Sequence, residues 1–405
     1  MEGKKQLNCR PLSDKLNWLY VGCIALMPVF CLVNVPYLNI SLATALLFLS
    51  LPYAATWILM KAREGTANQS LLRAYFPFAC FYLYMVMRSD GNLTRIVLCI
   101  LTLLHIIGLF YGSVSSKKIK KMIEWYAIIN SILVLLQTLS YYVFDLQIQY
   151  IPQALIHEHF KNSYVFQNEP GLYRPSALFL EPAHFSQFCC FAIISLLFPP
   201  EGKPKIHVAL VIAVGCLLTT SGMGIVLTGL IFALFSVRWC VYQKKMNVLK
   251  WQTLLTGILL VLLVGVLLLQ IPFVKTALLR VFSTVDGYNA ILGRLGLWKW
   301  KEAIGTMEII PLLFGYGYSA EYPHYLTGLA DTIYKFGILA VLLQGWCLLS
   351  IMKKQKTVYI WCVCCIFFLL FCVAHLTSVF SQIFYFALVI SEVVFYERTA
   401  KESGL

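Results

Sequence analysis

Residues 357–374 read Thr-Val-Tyr-Ile-Trp-Cys-Val-Cys-Cys-Ile-Phe-Phe-Leu-Leu-Phe-Cys-Val-Ala, 18 consecutive residues without a charge, entered through Lys353, Lys354 and Lys356. About 20 apolar residues of helix cross the hydrocarbon core of a bilayer, and a backbone placed there must satisfy its own hydrogen bonds. Working outward, runs of the same kind fall near 17–36, 38–60, 71–87, 93–112, 123–144, 175–198, 206–220, 223–240, 251–271, 329–352 and 377–396. With 357–374 that makes twelve expected crossings. The composition agrees: 60% of the 405 residues are hydrophobic and 12% charged, against about 25% charged in an ordinary soluble domain. A water-soluble globular protein is excluded. The expected fold is all-α, a polytopic integral membrane protein whose residues 1–405 form a single transmembrane domain.

The net charge of +14 would raise the question of nucleic acid in a soluble chain. Here its distribution decides. Alternate loops divide the cations unevenly, with 22 Lys and Arg in one set, including Lys117, Lys118, Lys120 and Lys121, and nine in the other. The positive-inside rule then predicts that both termini are cytoplasmic and that most of the surplus is a topology signal. No nucleic-acid partner is expected; the lipid bilayer is. The polar N-terminus precedes an apolar run without a convincing cleavage site, so a first anchor is expected rather than a removed signal. None of the 14 cysteines falls in the two long outer loops, and most sit in apolar runs, which predicts no disulfide framework.

Those two outer loops, 145–174 before the sixth crossing and 272–328 before the tenth, exceed what a turn requires. In the second, Arg294, Lys301 and Glu308 recur at sevens while Ile291, Leu295 and Trp298 share another face. That pattern predicts an interfacial helix over about 290–310, lying at the membrane surface.

The strongest local signal is Tyr173-Arg174-Pro175-Ser176-Ala177-Leu178-Phe179-Leu180-Glu181-Pro182-Ala183-His184-Phe185, where an Arg, a Glu and a His enter an apolar helix. Ionisable residues in that position are costly and by default functional. Spacing puts Arg174 and Glu181 on one helix face, two turns apart. The bland alternative is a snorkelling Arg and a Glu neutralised by a neighbouring helix. A second constellation runs through Gly293-Arg294, Gly315-Tyr316-Gly317, Pro323-His324 and Gly337. A helix starting near His324 would line His324, Asp331 and Lys335 on one face, with Asp331 and Lys335 an i,i+4 ion pair. A structural and a catalytic His324 are equally compatible with its place at the outer rim. His157-Glu158-His159 has the wrong spacing for zinc on a helix, and there is no phosphate loop, dinucleotide fingerprint or nucleophile elbow. The outer face carries no tight acidic pair for Mg2+, so phosphate chemistry there would rest on arginines. No metal and no cofactor are expected.

The Arg-Pro-Ser…Phe-Leu-Glu-Pro-x-His-Phe segment at 174–185, Gly-Arg…Trp at 293–298, Gly-Tyr-Gly at 315–317, and His324 followed by Gly337 together resemble the O-antigen polymerase and O-antigen ligase family of bacterial envelope enzymes. The motifs span roughly 174–340. Ligases usually carry His-Asn where this chain has His324-Tyr325, and a glycine pair where it has Gly337 and Ala340, so the resemblance favours the polymerases. It implies a metal-independent, inverting glycosyltransferase that moves a growing glycan from polyprenyl diphosphate onto another lipid-linked repeat unit, on the outer face of the bacterial cytoplasmic membrane. It implies catalytic roles for Arg174, Glu181, Arg294 and His324. Substrate contacts are implied for Tyr173, His184, Arg280, Lys301 and Tyr316. Lipid-linked oligosaccharides are the implied substrates, with flippase and chain-length regulator proteins as partners. The rivals are a ligase that transfers finished polymer and, from another class, a flippase for the same lipid-linked sugar.

Overall fold

The computed structural model describes residues 10–38, 40–63, 69–156, 168–169, 172–245, 270, 275, 284–285, 288–289, 297–324, 326–355, 357–373 and 378–402. Almost all of the expected crossing at 251–271, the His157-Glu158-His159 triplet, Arg280 and Arg294 lie outside them. The described chain is helical, apart from two antiparallel ladders of two residues per strand: β1 (Asn168–Glu169) with β2 (Leu172–Tyr173), and β3 (Thr284–Val285) with β4 (Tyr288–Asn289). Among the described residues six helices are long and apolar enough to cross a bilayer, beginning at Leu42, Leu93, Ser116, Gly222, Gly328 and Val379. The protein is membrane-embedded.

It divides into two compact units, one of residues 1–31, 37–122 and 299–405, the other of residues 32–36 and 123–298. The first contains α1 (Arg10–Leu26), α2 (Leu42–Arg63), α3 (Gln69–Met87), α4 (Leu93–Phe110) and the start of α5 (Ser116–Phe144). After the second unit the chain adds α9 (Leu297–Ala303), α10 (Ile309–Phe314), α11 (Gly328–Lys354), α12 (Val358–Val373) and α13 (Val379–Glu402). The opening stretch, expected over 357–374, is one helix over Val358–Val373. In α13, 83% of the apolar window is enclosed by neighbours, so this helix is the axis around which α1, α2, α4, α11 and α12 pack. Two polar pairs are bonded inside the unit: Tyr82 Oη donates to Gln382 Oε1 at 2.7 Å, and Ser50 Oγ lies 2.9 Å from His105 Nε2. In an apolar surrounding such pairing avoids the cost of an unmet polar group.

The second unit contains the rest of α5, then α6 (Pro182–Leu197), α7 (Ile206–Leu218) and α8 (Gly222–Lys245). The expected break at Thr219–Gly224 is present, with Thr220 at φ +53° and α8 beginning at Gly222. Small residues bring α6 and α8 together: a Cβ added at Gly224 would lie 2.7 Å from Ser186 Cβ. Gly224→Ala is therefore expected to destabilise the protein by about 1–3 kcal/mol through overpacking. A lowered thermal midpoint of the detergent-solubilised chain, largely restored by adding Ser186→Gly, checks it.

Three boundaries depart from expectation, each for a backbone reason. The first crossing was expected over 17–36, but α1 ends at Leu26, and Pro28, without an amide hydrogen, cannot extend it. The sixth was expected from 175, but α6 begins at Pro182: a proline at the first helical position pushes the residue before it into extended geometry, and Glu181 sits at φ −126°, ψ 137°. The helix expected over 290–310 is α9 and α10 separated by a turn at 304–306, with residues 290–296 outside the described set. Rather than one amphipathic rod, α9 sets Trp300, Ala303 and Ile304 against Leu326, Ala330, Tyr322 and Tyr334.

Candidate functional site

In the second unit the short β1–β2 ladder delivers the chain to Tyr173, which is fully buried and stacked on Tyr141 with ring centroids 4.4 Å apart. Residues 174–181 are not helical, so Arg174 and Glu181 do not share a helix face; that expectation is corrected. What replaces the helix is a docked turn. Asn130 and Gln137, seven residues apart and hence on one face of α5, reach out of it to hold the backbone. Gln137 Oε1 accepts from Ala177 N at 2.8 Å, and Asn130 Oδ1 accepts from Leu178 N at 3.2 Å. Ala177 is held at φ +53°, a left-handed conformation uncommon for a residue with a Cβ, and strain of this kind concentrates at functional sites. Phe179 then packs against Phe185 and Phe188, and Leu180 is buried beside it in sequence, which pins the far end of the turn.

The consequence lies at Glu181 and His184. Glu181 is the residue before the first turn of α6, and its carboxylate makes no capping bond. It is 39% exposed, with His184 Nε2 3.8 Å away and 36% exposed. That separation is too long for a hydrogen bond and short enough for an ion pair when the imidazole is protonated. Arg174, half-buried, begins the same turn. The turn can thus present a cation, a carboxylate and an imidazole, all fixed by α5 and α6.

The first unit holds the other constellation. Helix α11 was expected to start near His324; it starts at Gly328, with Thr327 before its first turn, so His324 precedes it and does not line a face with Asp331 and Lys335. The Asp331–Lys335 pair does form, at 3.1 Å. His324 is exposed, edge-on to Tyr322 at 5.9 Å. Tyr322 meets Tyr334 at 5.4 Å and Tyr334 meets Tyr316 at 5.0 Å, giving a row of rings of which Tyr316 is 47% exposed. The Tyr322 hydroxyl is pushed above its ordinary range by desolvation, with Glu302 and Tyr334 adding to it. Lys301, on α9, is exposed, and Trp300 on the same helix donates to Thr327 Oγ1 at 3.0 Å. Aromatic faces of this kind stack on apolar faces of ligands and can hold their polar edges in water.

Beneath the row, α11 is broken. Gly337 has φ 73°, ψ 173° within the helix, and Gly315 has φ 76°, ψ 173° at the end of α10. The two unwound segments bond to one another, Tyr316 N to Tyr334 O at 2.9 Å and Gly317 N to Lys335 O at 2.8 Å. Tyr84 Oη donates to Phe336 O at 2.6 Å, and Arg88 Nη2 donates to Gly315 O at 2.7 Å. Arg95 lies over the Tyr318 ring at 4.9 Å. Neither Arg88 nor Arg95 was among the expected site residues. The available signal was a cation opening each end of the 88–95 turn, which was counted as topology alone.

The sequence candidates thus fall in two sets. Tyr173, Arg174, Glu181 and His184 are gathered by one docked turn; Tyr316, His324 and Lys301 belong to the aromatic platform and its flanking helix. No family model matches the chain, and no curated protein matches it either.

Proposed function

We propose that the protein is a repeat-unit polymerase for a surface polysaccharide, a multi-pass enzyme of the bacterial cytoplasmic membrane with twelve crossings, both termini inside and its site on the outer face. The donor is a growing glycan on polyprenyl diphosphate and the acceptor a hydroxyl of another lipid-linked repeat unit. The observation that carries the reading is the docked turn from Tyr173 to His184, which holds Ala177 in a strained conformation and leaves the Glu181 and His184 side chains partly exposed 3.8 Å apart, with Arg174 half-buried at its start.

In this reading the acceptor hydroxyl attacks the anomeric carbon as the bond to the diphosphate oxygen breaks, with inversion in a single displacement. Glu181, its orientation shared with His184, takes the hydroxyl proton; His324 is the alternative base. Arg174, with Arg280 and Arg294, stabilises the charge on the departing diphosphate, for which planar guanidinium forks are suited. The Tyr316–Tyr334–Tyr322 row supplies stacking surfaces for sugars. Flippase and chain-length regulator proteins are the expected partners, and no metal or cofactor enters a step.

The test is genetic. In a deletion strain, loss of long chains with single units still displayed supports the polymerase; full-length polymer stranded on its carrier would instead mean a ligase. Repeat units trapped on the cytoplasmic side would mean a flippase, the reading that the broken α11 favours, since interrupted helices line transporter sites. Complementation with Arg174→Ala should leave the protein in the membrane and cut polymer formation by about 100-fold or more, the scale of losing one charge-stabilising group. Wild-type chain length in that strain refutes the role of the turn.

A further inference from the structure

A second polar site lies at the opposite end of the first unit from the aromatic platform, among the loops that the charge distribution assigns to the cytoplasm. It is a cavity of about 340 Å³, within the range of small-ligand sites. Its walls come from α1 (Asp14, Asn17), α2 (Tyr53, Trp57), the α4–α5 turn (Gly112, Ser115), Lys118, and the end of α13 (Phe395, Arg398).

Three sources of positive potential converge there. The first is the start of α5, a 29-residue helix whose Ser115 and Ser116 line the cavity and whose first turn has no acidic residue of its own; the carboxylate that reaches it, Glu392, accepts from Ser116 Oγ and is itself paired with Lys120. The second is Lys118, paired at 2.5 Å with Asp14, which is 63% exposed. The third is Arg398, which gives one Nη2 bond to Tyr111 O at 3.0 Å and has further donors on the same guanidinium. Four lysines in the first two turns of a helix stand at the wrong end for its dipole. Positive-inside sorting accounts for lysines in this loop but requires neither a cavity nor their convergence with Arg398 on it.

The acceptor side of the cavity is equally specific. Asn17 Nδ2 donates to Tyr53 Oη at 2.8 Å and to Ser113 O at 2.7 Å, which fixes the amide and leaves Oδ1, buried, with no donor among the described residues. Asp14 offers a second acceptor beside it. The cavity therefore wants an anion at one side and a hydrogen-bond donor at the other. Trp57, whose Nε1 donates to Tyr111 O at 2.9 Å, adds a fixed aromatic wall to the cavity.

We propose that this cavity binds a phosphate ester that carries hydroxyl groups, the phosphate on the α5 first turn, Lys118 and Arg398, and the hydroxyls on Asn17 and Asp14. The same chemistry is offered by a phosphatidylglycerol headgroup and by soluble glycerol phosphate. The site is independent of the polymerase reading and serves as a binding site whatever reaction the outer face performs.

The test uses the full-length protein in detergent. Native mass spectrometry counts retained phosphatidylglycerol against phosphatidylcholine, and thermal unfolding is followed with and without glycerol phosphate. Arg398→Gln and Lys118→Gln should each lower affinity about tenfold or more, the scale of one charge-assisted bond. Both side chains reach solvent, and the Lys118–Asp14 pair, being exposed at Asp14, contributes little to stability, so the variants should fold. Lys121→Gln, in the same helix but outside the cavity, should bind as wild type. Selective lipid retention that glycerol phosphate does not displace identifies a lipid ligand; thermal stabilisation by glycerol phosphate without lipid selectivity identifies a soluble one. Binding of neither probe, binding unchanged in both cavity variants, or an equal loss in Lys121→Gln overturns the proposal.

Discussion

Gly337→Ala is expected to be among the most damaging single substitutions in the chain, costing on the order of 3–5 kcal/mol. At φ 73°, ψ 173° the residue occupies a region essentially closed to side chains, which alone costs about 1–3 kcal/mol. An added Cβ would also lie 2.2 Å from Leu313 O and 2.4 Å from Leu313 C, which are backbone atoms with no rotamer to move. Relief requires the two unwound segments to separate, and with them the bonds from Tyr316 N, Gly317 N, Tyr84 and Arg88. Gly315→Ala should behave alike, since its Cβ would meet Lys335 O at 2.2 Å from the other side. The control is Gly345→Ala in the same helix, which meets nothing within 4 Å and should be neutral or slightly stabilising. Thermal unfolding in detergent decides it: midpoints for Gly337→Ala and Gly345→Ala that agree would show that the crossing of these segments carries no stability.

That pair of glycines also shows what sequence reading could and could not reach. Gly315 and Gly337 were both noticed, as separate pieces of a resemblance, but a glycine contact leaves no periodicity and the 21 intervening residues contain no marker of their meeting. The long apolar runs were legible because bilayer thickness and helical rise dictate their length, and α2, α4, α7 and α12 start and stop within about four residues of expectation. Asp331 and Lys335 were legible because an i,i+4 pair is a local fact. The stretch from Arg174 to Glu181 was singled out for the right residues and given the wrong backbone. Its hydrophobic character suggested helix, while the decisive terms were Pro182 acting on Glu181 and two amides of α5 some 40 residues away. Tyr316 and His324 were named singly, but the row that joins them through Tyr334 and Tyr322 was not legible: its rings come from separate segments, and only the fold brings them to within 6 Å.

A residue passed over at the sequence level carries the second large expectation. Glu392 lies in the expected crossing 377–396 and is 1% exposed inside α13. A carboxylate there needs a partner, and it has two on one oxygen: Lys120 Nζ at 2.7 Å and the hydroxyl of Ser116, both from the first turns of α5. Lys120 also lies over the Tyr359 ring at 5.1 Å, so its charge is shared between α12 and α13. Lys120→Ala should then cost about 3–5 kcal/mol, because it strands a buried charge rather than because the pair itself is worth that much. The two explanations separate in a double variant. Lys120→Met with Glu392→Gln removes both charges at similar volume and should recover most of the loss, whereas the sum of two independent defects would be larger than either. Additivity in that cycle, measured as thermal midpoints of the solubilised protein, would show that Glu392 and Lys120 act separately. Coupling would establish that Lys120 locks the start of α5 to the central helix, which positions Ser115, Ser116 and Lys118 around the cavity at that end of the unit.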